Sequence, residues 1–147
     1  MKTVVAAALG DCVHVAGVLG FLRLAEQAGW RTVFLGPAIP SERILAAARQ
    51  EDADLVAVSY RLTPENGLRL LGEFAEEADE LREAGTRFAF GGTPPVCALA
   101  QSLGFFEAVF DGSQPAEEIV AYLKGQASLV ASETSYPAST LGRIAWK

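Results

Sequence analysis

Short apolar runs alternate along this chain with longer stretches in which apolar residues recur every three or four positions. Val4 to Leu9 is a continuous small-and-apolar run, the pattern of a strand covered on both faces in a parallel sheet. From Val15 to Ala28, Val18, Phe21, Leu22 and Ala25 fall on one helical face, and Gly29 supplies the left-handed residue that ends such a helix. Arg31 to Leu35 is a second strand, and Gly36 to Ser41 a loop whose Ser41 caps a helix over Glu42 to Gln50. Leu55 to Ser59 is a third strand. Thr63-Pro64 opens a long helix, with proline at its first position, that runs to about Ala84. Its Leu68, Leu71, Phe74, Ala75, Ala78 and Leu81 are expected inward, and Glu73, Glu76, Glu77 and Glu80 outward; Gly85 stops it. Arg87 to Phe90 is a fourth strand, Gly91 to Pro95 a loop, Val96 to Leu103 a helix, Ala108 to Phe110 a fifth strand and Pro115 to Leu123 a last helix.

Strands that alternate with helices of this length predict an α/β domain with a doubly wound, five-stranded parallel sheet, Rossmann or flavodoxin-like. Right-handed crossovers make 2-1-3-4-5 the expected strand order. The alternation spans residues 1–124. From 125 to 147 the composition turns to Ser, Ala and Thr around Tyr136, Pro137, Leu141, Ile144 and Trp146, read as a tail and a candidate docking arm.

Composition narrows the function classes. A chain of 147 residues, 50% hydrophobic and 20% charged, reads as one soluble globular domain. A net charge of −6 argues against a nucleic-acid partner. No apolar run reaches the roughly 20 residues needed to span a membrane. The two cysteines, Cys12 and Cys97, are read as buried thiols rather than a disulfide framework, which points to the cytoplasm.

In an open parallel sheet the loops at the carboxyl ends of the strands share one rim, and ligands bind where the strand order reverses. Three segments converge there: Asp11-Cys12-Val13-His14-Val15-Ala16-Gly17, Ser59-Tyr60-Arg61-Leu62-Thr63, and Gly91-Gly92-Thr93. Gly112, after the fifth strand, lies on the same rim. His14 is the only histidine, so a zinc site would have to draw on Cys and Asp as well. A metal already held by a macrocycle needs one axial protein ligand, which suits this sequence better. Gly17, Gly91 and Gly92 would let a bulky ligand approach the backbone. A receiver-domain reading fails, because the third strand ends in Ser59-Tyr60 where that site needs its aspartate.

These segments resemble those of the cobalamin (B12)-binding domain, found in methionine synthase, the glutamate mutase small subunit, methylmalonyl-CoA mutase and corrinoid methyl carriers. The resemblance covers about residues 2–124 and rests on His14-Val15-Ala16-Gly17 with Asp11 nearby, on Ser59 to Pro64, and on Gly91-Gly92. It implies that His14 ligates cobalt in place of the cofactor's own base. It further implies that Ser59 and Thr63 contact the displaced nucleotide tail, and that Gly17, Gly91 and Gly92 make room for it. It implies adenosylcobalamin or methylcobalamin and a separate catalytic subunit, in the form of a substrate-binding barrel. The role most closely implied is the small subunit of an adenosylcobalamin-dependent mutase. The alternatives are a methyl carrier of a methyltransferase system and a B12-sensing or interaction module. A homo-oligomer stays open. The sequence departs from the family twice: Cys12 stands where the family has aspartate, with Asp11 one place earlier, and Arg61 replaces a leucine now found at Leu62. Either Asp11, through a one-residue bulge, or Cys12 is left to support His14.

Overall fold

The computed structural model describes residues 1–126, so the expected docking arm lies almost wholly outside the described residues. In chain order the elements are β1 (Thr3–Ala8), α1 (Ala16–Gln27), β2 (Arg31–Phe34), α2 (Ser41–Gln50), β3 (Leu55–Tyr60), α3 (Pro64–Glu83), β4 (Arg87–Gly92), α4 (Pro94–Leu103), β5 (Ala108–Phe110) and α5 (Ala116–Leu123). The strands form one parallel sheet in the order β2-β1-β3-β4-β5, as the alternation predicts. No helix among the described residues is long and apolar enough to cross a membrane.

The core divides into two layers. Val18, Phe21, Leu22 and Ala25 of α1 and Ile119, Tyr122 and Leu123 of α5 cover one face, against Val4, Ala6, Leu55, Ala57 and Ala89. Helices α2, α3 and α4 cover the other with Ile44, Leu45, Leu71, Phe74, Ala78, Val96 and Ala100, against Val5, Val56, Val58, Tyr60, Phe88 and Phe90. Strand residues alternate between these layers because successive side chains on a pleated strand point to opposite faces. Since α1 leaves β1 toward one layer and α3 leaves β3 toward the other, the carboxyl ends of these neighbouring strands flank the reversal point.

Several boundaries differ from the sequence reading. Gly91 and Gly92 are the last residues of β4, paired with Ser59 and Tyr60, rather than loop. Tyr60 likewise extends β3. Pro94 and Pro95 form the first turn of α4, and Pro40, not Ser41, precedes α2 without a side-chain cap. Leu68 is 45% exposed and leaves the inner stripe of α3, where Gly67, Leu71, Phe74 and Ala78 are buried and Ala75 and Leu81 pack partly buried against the same core.

Candidate functional site

The loop between β1 and α1 begins at Gly10, whose φ of +68° is a left-handed conformation that glycine adopts without a steric penalty. A side chain there would also meet Leu70 of α3, 2.8 Å from the position of a Cβ. The loop is pinned from the neighbouring β2–α2 connection. Gly10 N–H donates to the Ile39 carbonyl at 2.9 Å, and Ala38 N–H donates to the Cys12 carbonyl at 2.8 Å. Ala38 has φ +54°, a region that L side chains rarely occupy and that costs about 1–3 kcal/mol when enforced by surrounding contacts. Nothing in the sequence around Gly36-Pro37-Ala38 marks that residue as part of the site.

Within the loop, Cys12 is buried and Asp11, Val13 and His14 are exposed. Val13 is 62% exposed, a large apolar side chain left at the rim beside the histidine. Nδ1 of His14 lies 3.8 Å from Cys12 Sγ. The Asp11 carboxylate faces α3 instead, with Asn66 Nδ2 3.4 and 3.5 Å from its two oxygens. The bulge that would bring Asp11 to His14 is therefore not formed. Asn66 Nδ2 also donates to the Tyr60 hydroxyl at 2.9 Å, and Arg69 donates to Asn66 Oδ1. Asn66 thus ties the histidine loop to the end of β3, a role that its place in the first turn of α3 does not reveal. Burial pushes the Tyr60 phenol above its ordinary range; the Asn66 bond opposes this, and the Asp11 carboxylate reinforces it.

Ser59 is 1% exposed and stands between Ala8 of β1 and Gly91 of β4. Its backbone carbonyl accepts the Leu9 N–H at 2.9 Å, which binds the end of β3 to the start of the histidine loop. Among the described residues its hydroxyl oxygen is buried without a hydrogen-bond partner. Leaving such a group unsatisfied costs about 1–3 kcal/mol, so it marks a place where a ligand group can restore the bond. The rows flanking it are made of small residues: Ala6, Ala57, Ala89 and Ala108 pair across four strands, followed by Ala8, Ser59 and Gly91.

The two glycines of β4 have different tasks. A Cβ on Gly92 would sit 2.4 Å from the Tyr60 carbonyl oxygen, so its lack of a side chain is required by strand packing. Gly91, opposite Ser59, is the one in the small-residue row. Gly17 and Ala16 lie in the first turn of α1, next to Val15 at its N-cap. Arg61, Leu62 and Thr63 form the connection from β3 to α3, with Arg61 exposed, and Thr93 is the N-cap of α4. Gly112, φ +93°, follows the edge strand β5 and stands farthest along the rim from the histidine.

Among the described residues no group of three or more His, Cys, Asp or Glu side chains gathers to hold an ion. The donor set at His14 therefore fits a metal that brings most of its ligands with it. The buried Ser59 hydroxyl, flanked by rows of small residues, offers an unsatisfied hydrogen-bonding group to a ligand that reaches it.

A family model described as the B12 binding domain matches residues 2–125. Comparison with curated protein sequences returns no match. Among solved structures, the chain is similar to a cobalamin-binding protein from Desulfitobacterium hafniense DCB-2, at 22% identity and TM-score 0.69, over 85% of this chain and 58% of that one. It is similar to the methanol:cobalamin methyltransferase complex MtaBC from Methanosarcina barkeri, at 22% identity and TM-score 0.62, covering 94% and 49%. The Methanosarcina barkeri monomethylamine corrinoid protein matches at 16% identity and TM-score 0.64, covering 84% and 57%. The chain thus spans about half to three fifths of the length of these structures.

Proposed function

Because the chain belongs to the B12-binding domain family, whose cofactor is cobalamin, we propose that His14 is the lower cobalt ligand and that the loaded protein serves a separate catalytic subunit. Ser59 carries this reading: its buried, unpaired hydroxyl beside a row of small residues matches what the cofactor's nucleotide tail requires. In this assignment Ser59 and Thr63 contact the tail, and Gly17 and Gly91 leave it space. The residues Asp11 to Gly17 and Ser59 to Thr63 line the rim that would hold the corrin, with Gly92, Thr93 and Gly112 farther along it. When bound, the cofactor supplies a cobalt–carbon bond whose upper group can be transferred or released. His14 would ligate it, and the surrounding rim residues would orient it.

Of the roles that the resemblance implies, we favour a methyl carrier of a methyltransferase system. Two of the similar structures are a methanol:cobalamin methyltransferase complex and a monomethylamine corrinoid protein. The competing role is the small subunit of an adenosylcobalamin-dependent mutase. In either, the partner holds the substrate, with a barrel as its expected form.

The test mixes purified protein with hydroxocobalamin, removes free ligand and records the visible spectrum. Retained red colour with a histidine-on spectrum that His14→Ala abolishes supports the assignment. The same spectrum in wild type and His14→Ala overturns the ligand role. Partner co-purification followed by loading separates the two roles: methyl transfer from methylcobalamin supports the carrier, and a radical signal with adenosylcobalamin and substrate supports the mutase subunit.

A further inference from the structure

An imidazole that binds a metal through one nitrogen carries its proton on the other, and that N–H needs an acceptor to hold the ring in place. The side-chain atom facing His14 Nδ1 is Cys12 Sγ, at 3.8 Å. Asp11, the carboxylate nearest in sequence, is engaged with Asn66 on α3. Cys12 is held firmly enough to orient a neighbour. It is 0% exposed, its N–H donates to the Leu9 carbonyl at 3.1 Å, and its carbonyl accepts the Ala38 N–H at 2.8 Å. Ala38, whose backbone is left-handed at φ +54°, supplies that donating N–H.

We infer that Cys12 is the positioning residue of His14: its sulfur accepts the Nδ1–H, which selects the tautomer that leaves Nε2 free for a metal. Asp11 takes no part in this and instead anchors the loop to α3. A thiol sulfur is a weak acceptor without the charge of a carboxylate, so it sets the ring's tautomer and direction while adding little to its basicity. The inference rests on the role proposed above for His14 and specifies how that role is supported.

The chain's single histidine makes the test direct in the cofactor-free protein. Long-range proton–nitrogen spectra of the labelled imidazole, at about pH 8 where an ordinary imidazole is neutral, report which nitrogen carries the proton. The Nδ1–H tautomer is expected to predominate in wild type, to fall to the mixture of a free imidazole in Cys12→Ala and Cys12→Val, and to return in Cys12→Ser. Amide spectra confirm that each variant is folded, and the valine variant fills the space that alanine leaves. With hydroxocobalamin bound, the ratio of histidine-on to histidine-off cofactor is expected to drop about tenfold in the alanine variant. An Nε2–H tautomer in wild type, or equal mixtures in wild type, Cys12→Ala and Cys12→Val, overturns the role of Cys12. If that happens while wild type still takes up cobalamin through His14, the proposed function stands alone. The expected tautomers with no cobalamin uptake would keep the Cys12–His14 pairing and overturn the function.

Discussion

On the side covered by α2, α3 and α4, the central strands present Val56, Val58 and Tyr60 with Phe88 and Phe90. On the side covered by α1 and α5, the same strands present Ala57 and Ala89, and Ser59 stands beside Gly91. Every one of these strand residues is buried, so exposure does not separate the two faces; size and polarity do. The bulky face interlocks through aromatic pairs. Phe74 of α3 meets Phe88 edge-on at 5.8 Å and stacks on Phe106 at 6.2 Å, while Phe105 lies 5.0 Å from Phe88. The small face carries, near its carboxyl end, a hydroxyl that the protein itself leaves unsatisfied. One face is therefore built for cohesion, and the other gives up side-chain volume and a hydrogen bond where the rim begins. That cost is compatible with a marginally stable fold only if the first face is well packed.

Removing the largest contact on the bulky face should have the largest effect. Phe74→Ala is expected to destabilise the protein by about 3–5 kcal/mol in urea unfolding, since a fully buried ring shared by several neighbours leaves a cavity. A loss below about 1 kcal/mol would mean that cohesion is not concentrated there. Gly92→Ala tests the crossing of the strands under that face. Its Cβ would meet backbone, not a flexible side-chain end, so a loss of about 1–3 kcal/mol is expected from the midpoint shift.

The small face predicts opposite signs for one substitution. Ser59→Ala removes a buried oxygen without a partner, so the cofactor-free protein should gain about 1 kcal/mol while retention of hydroxocobalamin weakens. Loss of stability together with unchanged retention would remove Ser59 from the site. The smallest effect is expected from pH. Burial pushes the Cys97 thiol up to about 12 from an ordinary value of 9.0, with Asp111 adding to it and the Gly92 backbone and Arg61 opposing. The folded state favours the protonated thiol, so this contribution is complete below pH 9.0 and is lost as pH rises toward about 12. In Cys97→Ala the decline of stability over that window should flatten, as followed by urea midpoints at several alkaline pH values. An unchanged slope would assign the decline to other groups, among them Tyr122, which burial and the Glu107 carboxylate also raise.

The placement of the candidate site was legible because it follows from topology. Apolar periodicity separated strands from helices, and the handedness of crossovers then put the segments after β1, β3 and β4 on one rim. What local pattern could not supply was the partner of each side chain. The pair Asp11-Cys12 offers two supports for His14, and sequence spacing cannot choose between them. The choice is made by the turn at Gly10 and the bonds from Ile39 and Ala38, which point Cys12 toward the histidine and Asp11 toward Asn66. Gly91-Gly92 read as a loop because glycine weakens a strand, yet pairing with Ser59 and Tyr60 overrides that local preference. Leu68 fits the helical stripe by spacing but lies beyond the reach of the sheet.

The order of apolar and polar positions in this chain was by itself enough to determine a five-stranded parallel sheet and the rim where a ligand would sit, because both depend only on periodicity and chirality. Only the tertiary structure decided that Ser59 is buried without a partner, that Gly92 serves packing while Gly91 faces the row of small residues, and that Cys12 rather than Asp11 meets His14. Those outcomes depend on contacts between segments far apart in the chain, which no local pattern records.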